Sequence, residues 1–196
     1  MNVSLALPLA EEDVRQLKVG DFVELSGVIT TARDSAHKLL AGGTPCPRDV
    51  SGGVFYHCGP VIVGCPGAWR VTAAGPTTSI REEPYMADLI GSLGLRAVIG
   101  KGGMGQKTSD ALRRHGCVYL HAVGGVAQVL AECIQAVEGV DFLEEFGPPE
   151  AMWHLRVERF PAMVTMDTQG NGLHTEISAI SASRLAACVA MGGGEV

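Results

Sequence analysis

Arg96-Ala97-Val98-Ile99-Gly100-Lys101-Gly102-Gly103-Met104-Gly105 is the stretch whose reading decides the fold. Arg96–Ile99 is short, apolar and β-branched, which predicts a buried strand. The glycines after it break the strand, and Ser109–His115 has the character of a helix. Cys117–Val123 then repeats the apolar strand, Gly124-Gly125 repeats the break, and Val126–Val137 reads as an apolar helix. Two strand–glycine–helix units in succession point to βαβ chain and a parallel sheet. Strands this apolar have no face to spare for water.

Working outward, Phe22–Thr30 alternates β-branched and polar residues and predicts a strand, followed by a short helix over Ala32–Ala41. Pro45–Gly53 is turn-rich, while Gly53–His57 and Val61–Val63 are short strand-like runs. Pro84–Leu93 has helical spacing with proline at its first turn, where the missing N–H costs nothing. Downstream, Glu138–Glu150 reads as a linker and Met152–Glu158 and Ala162–Asp167 as more strongly alternating strands. A turn at Asp167–Gly172 and a closing helix over Ser178–Met191 complete the chain. The expectation is a single three-layer α/β domain over residues 1–196, with a mostly parallel core sheet and a smaller second sheet.

The formal net charge of −6 argues against a nucleic-acid partner or an anionic membrane surface. An acidic chain that binds an anion must gather its few cations locally. No apolar run reaches the 18 or so residues of a membrane helix, and Met1–Glu12 lacks a basic leader, so a cytoplasmic protein is expected. Six cysteines are scattered without a C-x-x-C pair, which reads as reduced thiols. Cys58, Cys65 and His57 lie close in sequence, but their spacing matches no metal site.

Chemistry concentrates in two segments. Gly75-Pro76-Thr77-Thr78-Ser79-Ile80-Arg81 places three hydroxyls and a guanidinium behind a bend, with Thr78 or Ser79 as candidate caps for the next helix. Gly100–Gly105 hangs Lys101 on nearly bare backbone between strand and helix. Both suit a carboxylate or phosphate held by amide N–H groups and fixed cations. Taken alone, the first reads equally well as an ordinary capped helix with a surface arginine. The second fails as a P-loop, because Gln106 separates Gly105 from Lys107-Thr108. It fails as a dinucleotide fingerprint too, since the acid required about 20 residues on is replaced by His121-Ala122-Val123. Arg33 and Asp34 open another strand-to-helix junction. His57, His121 and His154 sit in strand-like runs and read as structural.

Taken together, Thr31–Lys38, Ala74–Arg81, Ile99–Gly105, Tyr119–Gly125 and Phe160–Asp167 make the chain resemble a known family. It is similar to the β subunit of iron–sulfur (class I) fumarase and L-tartrate dehydratase, equivalent to the C-terminal domain of single-chain members. The resemblance runs from about Leu17 to Ile177. It implies a swivelling β/β/α domain, with substrate-binding roles for Arg33, Arg81 and Lys101 and a catalytic base role for Thr77. It also implies a [4Fe-4S] cluster held by cysteines of a partner α subunit and not by this chain, a small dicarboxylate substrate, and an αβ or α2β2 hetero-oligomer. Fumarate and malate are the first expectation and tartrate the next. A stand-alone anion-binding module is the alternative from another class. Family members often carry methionine after the arginine that matches Arg81; here Glu82 and Glu83 follow, and two acids beside a dicarboxylate site oppose binding unless paired or turned away.

Overall fold

The computed structural model describes residues 2–192. In chain order these form β1 (Asn2–Ala6), α1 (Glu11–Gln16), β2 (Phe22–Thr31), α2 (Asp34–Ala41), β3 (Val54–Tyr56), β4 (Val61–Val63) and β5 (Arg70–Ala73). A 3-10 turn at Ser79–Glu82 runs into α3 (Glu83–Leu93), and β6 (Ala97–Gly100), α4 (Gln106–His115), β7 (Val118–His121) and α5 (Ala127–Glu132) follow. The chain ends through β8 (Ile134–Asp141), α6 (Leu143–Phe146), β9 (Met152–Met166) and α7 (Leu173–Gly192).

The βαβ reading is correct at its centre. β2, β3, β6 and β7 are consecutive parallel neighbours, and β1 adds a further parallel strand beside β2. The sheet is nevertheless mixed and closed. β9 runs antiparallel to β7 along one edge and to β2 along the other, joining β2, β3, β6, β7 and β9 into a five-stranded barrel. β1 and β8 extend it from β2 and β9. The small second sheet is the pair β4–β5, and the late, more strongly alternating strands belong to the barrel wall.

Two expectations failed for identifiable reasons. Val126–Val137 is helical only as far as Glu132; its second half, with part of the supposed linker, is β8. Ile134, Val137 and Val140 face the core at a spacing of three, which mimics a helix. Register shifts between Ile134 and Ala136 and between Val137 and Gly139 produce that spacing in a strand. The two late strands are one, bent at Arg159 (φ 51°) and Pro161, so that its first half serves β8 and its second β7. The closing helix begins at Leu173 rather than Ser178.

The barrel interior is filled from alternate positions, among them Leu25, Ile29, Tyr56, Ile99, Leu120, Trp153, Leu155 and Val164. The alternate residues Phe55, Val98 and Tyr119 face outward and pack under α2, α3 and α4 through Leu40, Met86, Leu89, Ile90 and Leu112. α5 and β5 join the interior cluster through Leu130, Ala131 and Val71. Among the described residues no helix is long and apolar enough to cross a membrane.

Candidate functional site

Because β2, β3 and β6 run parallel, the segments that leave their carboxyl ends gather at one end of the barrel. That is where ligands collect in parallel α/β sheets generally. Arg33 follows β2, His57 follows β3 and Lys101 follows β6. The segment at Pro76–Ser79 is laid between the last two. Cys58 bridges Pro76, the Thr77 N–H donates to the His57 carbonyl (2.7 Å), the Lys101 N–H to the Thr77 carbonyl (3.2 Å) and the Ser79 N–H to the Lys101 carbonyl (3.0 Å). Backbone pairing therefore fixes Thr77 beside Lys101. The Thr77 hydroxyl oxygen is buried and has no hydrogen-bond partner.

Arg33 and Arg81 meet on one carboxyl. Arg81 forms a close ion pair with Asp34, and the Arg33 guanidinium lies 3.9 Å from the same Asp34 oxygen. Arg33 also pairs with Glu150 at 3.0 Å and donates to the Pro149 carbonyl. Gly59 leaves room for it: a Cβ there would approach the guanidinium to 2.7 Å.

Beneath this surface lies a buried polar layer. Ser79 does not cap the following helix; its Oγ accepts from the Tyr119 hydroxyl and lies 2.8 Å from His57 Nδ1. Gly100 permits this, since a Cβ there would overlap the Ser79 oxygen. His37 Nδ1 donates to the Arg33 carbonyl (2.9 Å), and its ring stands edge-on to His57 with centroids 4.9 Å apart. Burial drives both imidazoles toward the neutral form, His37 down to about 4 and His57 well below its ordinary value, the neighbouring His37 adding to the latter. The Nε2 atoms of both rings are buried without partners.

Comparison with known proteins gives this arrangement a family. The description "Fumarase C-terminus" matches residues 1–177. The chain belongs to that family. It is 57% identical over 184 residues to the "Putative fumarate hydratase class I" of Geobacillus stearothermophilus, covering 93% of this chain and 35% of that protein. It is 39% identical over 175 residues to the "Putative L(+)-tartrate dehydratase subunit beta" of Methanocaldococcus jannaschii, covering 87% and 90% of the two chains. The L(+)-tartrate dehydratase subunit beta of Escherichia coli K12 is 34% identical over 186 residues, covering 94% and 92%. The chain thus spans about a third of the fumarate hydratase relative and nearly the whole of the named beta subunits. The Fumarase C-terminus relatives named here are hydro-lyases.

Within this family member, the two acids that follow Arg81 are resolved differently. Glu83 turns away: it accepts from the Gly105 N–H (2.7 Å), the Thr108 N–H (3.2 Å) and the Thr108 hydroxyl (2.7 Å), so it caps α4 from a neighbouring helix. Glu82 turns inward and is only 2% exposed. Its Oε2 has no hydrogen-bond partner and lies 3.6 Å from His37 Nδ1. Burial first, then the neighbouring carboxylates of Asp34 and Glu150, raise its carboxyl to about 8, with the Arg81 guanidinium pulling the other way.

The residues the sequence reading missed are the partners of the cations. Asp34 was visible beside Arg33, but Glu150 lies more than a hundred residues away and nothing local marks it. His154, read as structural, is fully satisfied by Thr30 (3.0 Å) and Asp141 (2.7 Å).

Among the described residues no three His, Cys, Asp or Glu side chains are grouped to hold a metal ion. Cys58 and Cys117 are buried thiols, Cys58 raised to about 12 by desolvation and Cys117 also pushed well up. Thiols held protonated in apolar surroundings do not fit an iron–sulfur cluster, which needs thiolates.

Proposed function

We propose that this chain is the swivelling β portion of a dicarboxylate hydro-lyase, acting on malate and fumarate in partnership with an α subunit. A single domain spans residues 1–196 on this reading, and the [4Fe-4S] cluster belongs to the partner. Arg33, Arg81 and Lys101 bind the substrate carboxylates, and Thr77 works at the carbon that gains or loses a proton. The observation that carries the reading is that Arg33 follows β2 and Lys101 follows β6, 68 positions apart, while backbone pairing lays Thr77 beside Lys101 and an ion pair ties Arg81 to Asp34 next to Arg33.

Removing a proton α to a carboxylate throws negative charge onto that carboxylate. A guanidinium or ammonium fixed against it stabilises the transition state more than the ground state. Thr77 is a weak base unless that positive surround favours its alkoxide or lets it pass the proton on. Its buried hydroxyl, left without a protein partner, supports a role toward substrate.

Tartrate is the second reading. It is favoured by the relatives that match over nine-tenths of their own length, which carry the tartrate dehydratase name. The test is coexpression with an α-type partner, followed by anaerobic assay against fumarate, malate, both tartrates and mesaconate. The pair is expected to turn over fumarate and malate while the chain alone does not. Hydration of fumarate by the purified chain alone would refute the partnership, and turnover of tartrate only would select the second reading.

A further inference from the structure

Two guanidiniums and three acids share the candidate site. Arg81 is held by Asp34, Arg33 by Glu150 with Asp34 at its far side, and among the described residues Glu82 forms no ion pair with an arginine or lysine. If all three acids ionise, the cluster is anionic and repels a dicarboxylate. If one stays neutral, two guanidiniums face two carboxylates and the cluster is balanced. Glu82 is the acid that can stay neutral, because it alone of the three is almost wholly out of water, at 2% exposure against 37% and 22% for the side chains of Asp34 and Glu150.

We propose that Glu82 is a positioning residue acting through Asp34: its buried carboxyl backs the Asp34 side chain, and Asp34 holds the Arg81 guanidinium until a substrate carboxylate takes its place. Asp34 is then an internal stand-in for the substrate. Protonated Glu82 gives the displaced Asp34 a hydrogen-bond donor; ionised Glu82 repels both Asp34 and the incoming dianion. The groups that face Glu82 are Asp34 and His37 from α2, Arg81 on its own turn, and Glu150 from the segment before β9, with Arg33 paired to Asp34 and Glu150 behind them. His37 adds no positive charge near neutrality, since burial holds it at about 4. Glu82 itself, raised to about 8, changes charge within the working range of most enzymes.

This rests on Arg81 being a substrate cation, and the experiment separates the two claims. Succinate, an unreactive dicarboxylate, is titrated calorimetrically into the wild-type chain, Glu82→Gln, Asp34→Asn and Arg81→Ala at pH 7 and pH 9. The Glu82 carboxyl is followed in parallel by carbon-13 NMR. The wild type is expected to bind about tenfold more weakly at pH 9 than at pH 7, the slope of one linked proton. Glu82→Gln is expected to bind equally at both, Asp34→Asn more tightly than wild type, and Arg81→Ala not at all. Glu82 is expected to titrate near pH 8, with its midpoint falling in Asp34→Asn. The same pH slope in Glu82→Gln, or a Glu82 midpoint below pH 6, overturns the proposal. Unchanged succinate affinity in Arg81→Ala overturns the site assignment instead. If no form binds succinate, the NMR midpoint and its response to Asp34→Asn decide the pairing alone.

Discussion

The seam where β9 pairs with β2 and the segments gathered at the carboxyl ends of β2, β3 and β6 treat buried polar groups in opposite ways. Along the seam they are matched. His154 uses both ring nitrogens, and the Thr31 hydroxyl donates to the Ala151 carbonyl while accepting from the Trp153 N–H (2.9 Å). At the strand ends they are not. Of the seven buried, unpartnered side-chain polar atoms among the described residues, five belong to Arg33, His37, His57, Thr77 and Glu82. Each orphaned group costs on the order of 1–3 kcal/mol. The remaining two, His121 Nδ1 and Thr165 Oγ1, lie on β7 and β9. A fold that satisfies its polar groups where β9 meets β2 and concentrates most of the exceptions at one end has kept that end for something other than stability.

The sharpest way to break the contrast is to remove the cations. In the assembled enzyme, Arg81→Ala is expected to lower kcat/KM by about a hundredfold or more, since charged hydrogen bonds contribute about 1.5–3 kcal/mol each. Its half-exposed pair with Asp34 contributes only about 0–1 kcal/mol to folding, so Tm should barely move. Steady-state kinetics beside a thermal melt checks both halves. The mirror case is His154→Ala. It leaves the Thr30 hydroxyl without its ring partner, leaves Asp141 with Arg48 alone and opens a cavity, and is expected to destabilise by about 2–4 kcal/mol with KM unchanged, as denaturant titration would show.

Stability should respond to pH from both sides. His37 and His57 are neutral when folded but take protons below about 6.5 when unfolded, so their contribution is complete above 6.5 and is lost as pH falls toward 4. Glu82 has the opposite sign. Its folded value lies above its unfolded one, so stability is full below about 4.5 and declines as pH rises through 8. Denaturant titration from pH 4.5 to 9 should give a hump, and Glu82→Gln should flatten its alkaline side only. The smallest effect is expected from Glu83→Ala, which removes the cap of α4 at a cost of about 1 kcal/mol.

Much of the parallel core was legible because short apolar runs followed by glycines obey a local rule. Ala97–Gly100 and Val118–His121 lie where that rule puts them. β8 was hidden because two bulges gave Ile134, Val137 and Val140 a helical spacing, and only the unpaired edge of β9 makes that segment a strand. The same division runs through the site. Arg33, Thr77, Arg81 and Lys101 stand in recognisable local motifs. Asp34 as the ligand of Arg81, Glu150 as the ligand of Arg33, and the inward turn of Ser79 and Glu82 are tertiary facts without a local signature. Glu83 shows how a local reading misleads: an acid beside the site turned out to be a cap for another helix.

The contrast is tested most directly by a matched pair of substitutions, Thr77→Val and Thr31→Val, each deleting one buried hydroxyl at nearly constant volume. Denaturant titration of both, with activity of the assembled enzyme, is the measurement. Thr31→Val is expected to destabilise by about 1–3 kcal/mol, because it strands the Trp153 N–H. Thr77→Val is expected to leave stability unchanged or raised while activity falls by about a hundredfold or more. A Thr77→Val protein that is as destabilised as Thr31→Val, yet fully active, would show that the strand ends are ordinary structure.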